Sequence, residues 1–87
     1  MSRRRRRSAC RIAYAPPADD TLAKMANPDG FRAEMARTLS ADPYGHGSSS
    51  VAGERDRREA TIGGAILLYY VSGSVLTVTV VRMVALG

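Results

Sequence analysis

From Ala60 to Val81 the chain runs 22 residues without a charged side chain. At about 1.5 Å per residue such a run would make a helix of roughly 33 Å, long enough to cross a bilayer core. Its texture favours strands. Ten of the 22 residues are Val, Ile or Thr, whose branching at Cβ restricts χ1 and suits a pleated surface. Gly63-Gly64 and Ser72-Gly73-Ser74 cut the run into pieces of strand length. Gly-Gly supplies the positive φ angles of a two-residue hairpin turn, and Ser-Gly-Ser suits a three-residue one. After the second break Val75, Thr77 and Thr79 alternate with Leu76, Val78 and Val80, one polar-tolerant face against one apolar face. The segment therefore reads as two successive hairpins: Arg57 to Ile62, Ala65 to Val71, and Val75 to about Val84. A tail-anchored membrane helix is the alternative.

The first half has another period. In Cys10 to Ala15, Ile12 and Tyr14 alternate with Arg11 and Ala13, as in a short strand. Pro16-Pro17 ends it and opens a helix, since a first-turn proline gives up an N–H that has no intrahelical partner there. Ala18, Leu22 and Met25 share one face of that helix. Asn27-Pro28 is a cap and first-turn pair for a second helix, with Phe31, Met35 and Leu39 as its buried stripe. Asp42-Pro43 stops it, and Tyr44 to Gly53 reads as a glycine- and serine-rich loop. The predicted order is strand, helix, helix, then three antiparallel strands. This is an α+β domain with a helical hairpin packed on one face of an antiparallel sheet.

Charge is unevenly placed. Thirteen Lys+Arg face eight Asp+Glu, a formal net charge of +5. Five of the positives are Arg3, Arg4, Arg5, Arg6 and Arg7, which leaves eight basic residues against eight acidic ones beyond them. Residues 1–9 thus read as a disordered basic arm, able to contact nucleic-acid phosphates without reading sequence, and residues 10–87 as a single domain. The arm is not followed by an apolar stretch of signal-peptide type, so a cytoplasmic location is expected. One cysteine, Cys10, and one histidine, His46, exclude a disulfide framework, a zinc enzyme of the usual ligand set and a Ser-His-Asp hydrolase. No metal or other cofactor is expected.

The order and the residues together resemble the RelE/ParE family of bacterial type II toxins. The likeness runs through RIAYAPPADDTL, with Pro17-Ala18 at the family's Pro-x-Ala step, and LSADPYGHG. Val51-Ala52-Gly53 stands at the family's Leu-x-Gly. GGAILLYYV lies where the family runs Gly-x-x-Arg-x-x-Tyr, which sets Tyr69 on the strand tyrosine, and VLTVTVVRM closes the match. Two departures bear on activity. Ile66, or Leu67 in a shifted alignment, stands at the family's arginine, and Arg82-Met83-Val84 replaces a terminal His-Arg pair.

The resemblance implies a toxin held inactive by a cognate antitoxin and acting as a ribosome-dependent mRNA endonuclease. The alternatives it leaves are a gyrase-inhibiting toxin and an inactive, antitoxin-binding homologue. Cleavage through the 2′-OH needs a group to take its proton, a group to protonate the leaving 5′-oxygen, and positive charge at the phosphate. The candidates are Arg55, Arg57, Arg58, Tyr69, Tyr70, Arg82 and His46. Of these Arg58, Arg82 and Tyr69 are the expected catalytic residues, and Arg55 and Arg57 join the arm as expected RNA contacts. Arg57 and Arg58 point to opposite faces of an extended strand. Arg82, sharing parity with Val78 and Val80, is expected at the end of the core face.

Overall fold

The charge-free run folds as strands. The computed structural model of the protein describes residues 10–86; the arginines Arg3 to Arg7, and with them the expected arm, lie outside the described residues. In chain order the elements are β1 (Arg11–Tyr14), α1 (Pro16–Ala23), α2 (Pro28–Arg37), β2 (Ser49–Val51), β3 (Glu54–Ile62), β4 (Ala65–Ser72) and β5 (Thr77–Ala85). The strands form one five-stranded sheet in the order β1-β5-β4-β3-β2. No helix among the described residues is long and apolar enough to cross a membrane. The run from Ala60 to Val81 is divided instead among β3, β4 and β5.

Local chemistry explains the boundaries. Gly63 and Gly64 take φ of 57° and 81°, the doubly positive pair a tight hairpin turn needs between twisted strands. Gly63 is also fixed by packing, because a Cβ there would lie 3.0 Å from a ring carbon of Phe31. The Asn27 side chain accepts a hydrogen bond from the Gly30 N–H at 3.0 Å and caps α2, with Pro28 in the first turn. Ala18 and Leu22 of α1 and Phe31 and Met35 of α2 join Ala60, Ile62, Leu67, Tyr69, Val78, Val80 and Met83 in one buried core. The helices thus cover one face of the sheet, and the architecture is α+β.

Four expectations are corrected. The sheet is mixed, because β1 pairs in parallel with β5, Arg11 opposite Thr77 and Tyr14 opposite Val80. The stretch expected as loop contains β2, which pairs with β3 through Ser49–Glu59 and Ser50–Arg58. The β4–β5 connection is a four-residue turn, residues 73–76, with Leu76 at φ 49°, so β5 begins at Thr77 rather than Val75. Helix α2 ends at Arg37, and Leu39 is buried from the turn that follows.

A fifth difference, one of register, decides the site, because Arg82 was expected at the end of the core face. Leu68 of β4 pairs with Arg82, but Tyr69 pairs with Val80, leaving Val81 as an extra residue in β5. This β-bulge reverses the alternation of everything beyond it. Val78, Val80 and then Met83 are buried, and Arg82 leaves the core face for the opposite one.

Candidate functional site

Alternation along the strands sorts the side chains into two faces. Ala65, Leu67, Tyr69 and Val71 of β4 point to the helices, and Ile66, Leu68, Tyr70 and Ser72 point away. The register carries this across the sheet. Arg58 lies beside Tyr69 on the helix face; Arg57 lies beside Tyr70 on the open face, and Tyr70 beside Thr79. One step along, Glu59, Leu68 and Arg82 form a second row on the open face. Arg11 is set on the same face by its pairing with Thr77.

The expected catalytic trio is therefore divided. Tyr69 is fully buried, and its phenol donates to the Pro43 carbonyl at 2.6 Å. Arg58 is engaged along its length. Its Nε donates to the Ser48 hydroxyl at 3.0 Å, one terminal nitrogen to the Ser48 carbonyl at 3.2 Å, and the other to the Arg55 carbonyl at 2.8 Å. Both residues hold the segment between α2 and β2 against the sheet. Arg82 is exposed on the other side, and among the described residues it makes no ion pair or side-chain hydrogen bond.

A small cluster closes the loop end of the helix face. The Tyr44 phenol donates to Asp56 at 2.5 Å, the Arg55 guanidinium lies 4.2 Å from the ring centroid, and that of Arg58 lies 5.3 Å from it. The hydrogen bond to the carboxylate is the main reason that the Tyr44 phenol is held above its ordinary value, with burial adding to it and the two arginines opposing it. Arg55, an expected RNA contact, is thus stacked on an aromatic ring. His46 occupies the exposed turn beside this cluster at φ 58°.

Arg57, the other expected contact within the domain, has an unsettled environment. Its guanidinium lies 5.7 Å from the Tyr70 ring centroid and one terminal nitrogen is 3.9 Å from Glu54. Its Nε is buried with no hydrogen-bond partner. A buried unpaired donor costs on the order of 1–3 kcal/mol, more where the group is charged, so this side chain gains by meeting an acceptor.

Around Arg57 the open face is polar and aromatic at one end and apolar at the other. Tyr70 is 40 % exposed and Val84 54 %. Glu59 is exposed on this face, separated from Arg82 by Leu68. No layer of the described residues covers these side chains, since both helices lie on the other side. Among the described residues there is no cluster of three metal-binding side chains. The sequence pointed to Arg57 and Arg82 but not to Arg11 or Glu59 as their companions. Arg11 needs the parallel β1–β5 pairing, and Glu59 needs the bulge that brings Arg82 to its face.

No protein-family model matches the sequence, and no curated protein matches it. Among solved structures, a chain of the RelBE2 toxin–antitoxin complex from Mycobacterium tuberculosis superposes with a TM-score of 0.68 at 22 % identity. The match covers 86 % of this chain and 95 % of that one. The sheet and its two helices thus have the RelE-like fold, and the likeness read from the sequence to RelE/ParE toxins holds at the level of fold.

Proposed function

We propose that the protein is the toxin of a type II toxin–antitoxin pair and cleaves mRNA on the ribosome, using the open face of its sheet. The observation that carries this reading is the pairing of a RelE-like fold with an uncovered face on which Arg82, Arg57 and Glu59 stand together. In the reaction the 2′-oxygen attacks the adjacent phosphorus, the bond to the 5′-oxygen breaks, and a cyclic phosphate and a free 5′-hydroxyl result. Arg82 meets the phosphate and offsets the charge that grows on its oxygens in the transition state. Glu59, across Leu68 from it, takes the 2′-OH proton, and water returns a proton to the leaving oxygen. Arg58 and Tyr69 serve the same site indirectly, by holding the sheet and loop in shape.

A gyrase-inhibiting toxin is the second reading, favoured by Ile66 at the position of the family's arginine. A cognate antitoxin as partner follows from either. The test is the rate of protein synthesis in a bacterial host in the minutes after inducing the chain alone. The nuclease reading expects an immediate stop, relieved in Arg82→Ala and slowed in Glu59→Gln at equal levels of folded protein. Arrested DNA replication with continued protein synthesis would replace it with the gyrase reading. Normal growth at full soluble yield would overturn both.

A further inference from the structure

Tyr70 has no structural task of the kind its neighbour Tyr69 performs. It is the aromatic ring that β4 places on the open face, 40 % exposed, with Arg57 beside it on β3 and Thr79 beside it on β5. Arg82 stands on the same face, two residues away in register and on the opposite flank of β4. From strand spacing and rise, the Cα atoms of Arg57 and Arg82 are about 12 Å apart, with Tyr70 and Leu68 between them. An exposed ring flanked by cations is how single-stranded nucleic acid is held without base-specific hydrogen bonds. The base stacks on the ring and its phosphates meet the charges.

We infer that Tyr70 is the stacking platform of a single-stranded RNA subsite, with Arg57 and Arg82 taking the phosphates on either side of the stacked nucleotide. The inference rests on the nuclease reading above and adds the residue that would hold the nucleotide beside the cleaved bond. The buried Nε of Arg57 supports it independently. Turned outward to a phosphate oxygen, the guanidinium exchanges an unpaired donor for a charge-assisted hydrogen bond. Stacking accepts any base, so this subsite would position RNA rather than select its sequence.

The experiment measures binding of a six-residue oligoadenylate, and of an abasic hexamer with the same backbone, to the full chain by fluorescence anisotropy. Tyr70→Leu keeps an apolar side chain at the site but removes the ring. It is expected to weaken oligoadenylate binding about 10-fold and leave the abasic hexamer within about twofold. Arg57→Ala is expected to weaken both and flatten the salt dependence. Because the chain has no tryptophan, Tyr70→Trp gives a single reporter whose emission is expected to be quenched by oligoadenylate and not by the abasic hexamer. Equal losses on both hexamers, no loss on either, or a loss confined to binding of a protein partner would overturn the inference. The translation assay keeps the two readings apart. Translation arrest with Tyr70-independent oligoadenylate binding removes only the subsite. Tyr70-dependent binding without arrest keeps the subsite and removes the nuclease.

Discussion

Tyr69 and Tyr70, adjacent in the chain, are turned to opposite faces of the sheet. The Tyr69 phenol is wholly buried and donates to the Pro43 carbonyl at 2.6 Å, whereas Tyr70 is 40 % exposed beside Arg57. One peptide step separates a structural tyrosine from one free to meet a ligand, because side chains alternate along a strand.

That division predicts unequal stability effects from the same substitution. Tyr69→Phe removes a buried hydrogen bond and leaves the Pro43 carbonyl without that donor, so it should cost about 1–2 kcal/mol. Tyr70→Phe loses a phenol on an exposed ring and should fall within about 0.5 kcal/mol of the wild type. Urea unfolding followed by circular dichroism compares them directly. Equal effects would mean that the Tyr69 phenol is not engaged in solution.

Arg58 and Arg82 should separate in the same way when stability and toxicity are both measured. Arg58 donates three hydrogen bonds to the Ser48 and Arg55 positions, and Arg58→Ala should destabilise the domain by about 2 kcal/mol. Limited proteolysis should then cut the segment around Ser48 sooner. Arg82→Ala removes an exposed side chain, so unfolding should be unchanged while growth arrest disappears. A loss of toxicity in Arg58→Ala reports on folding unless a refolded fraction is shown to be inactive.

Much of this arrangement was legible in the sequence, and the remainder has identifiable physical causes. The β3–β4 hairpin announced itself through Gly63-Gly64, the cap of α2 through Asn27-Pro28, and the two faces of early β5 through alternation. Three features were not marked by residue type. The three residues of β2 are strand only because β3 offers them a partner, and two of them, Ser49 and Ser50, have small polar side chains. The parallel pairing of β1 depends on where the helices return the chain. Leu76 takes a left-handed φ that leucine rarely adopts, so the longer turn was hidden behind a sequence that suits a shorter one. The bulge at Val81 is the costliest of these omissions, because valine is at home in any strand and yet this one moves Arg82 from the core face to the open face.

The bulge can be tested by removing it. Deleting Val81 takes out the extra residue and keeps the pairings Tyr69–Val80, Leu68–Arg82 and Leu67–Met83, so Arg82 stays on the open face and Met83 in the core. The deletion should therefore keep a cooperative thermal transition. Exchanging the residues at 82 and 83, with or without the deletion, sets an unpaired guanidinium beside Leu67 in an apolar core and should abolish it. An exchange tolerated in the full-length chain would show that β5 runs straight.

The turn glycines offer a test of packing against conformation. Both Gly63 and Gly64 have positive φ, but only Gly63 lies against Phe31, where an added Cβ would sit 3.0 Å from the ring. At Gly64 nothing lies within 4 Å of an added Cβ. Each Gly→Ala change meets the cost of a left-handed alanine, on the order of 1 kcal/mol. Gly63→Ala should cost more, because Phe31 must also move. Equal losses would place Phe31 further from the turn.

Alkaline pH should expose the Tyr44–Asp56 contact. The neutral phenol donates to the carboxylate at 2.5 Å, and the phenolate would face that same carboxylate as a like charge. The hydrogen bond to Asp56 leads the causes that raise the folded Tyr44 above the ordinary tyrosine value of 10.0; Arg55 and Arg58 pull the other way. A group raised on folding contributes stability that is fully present below its unfolded value and is lost as pH rises through the folded one. The difference in urea midpoint between wild type and Tyr44→Phe should therefore be flat from neutrality to about pH 10 and shrink above it. Absorbance at the phenolate band supplies the second readout. Tyr14, raised chiefly by burial, and Tyr44 should both ionise late in the wild type, and Asp56→Asn should bring only Tyr44 back toward the ordinary range. If Tyr44 ionised early instead, the two guanidinium groups over its ring would outweigh the carboxylate, and the loop would tighten rather than loosen as the solution became basic.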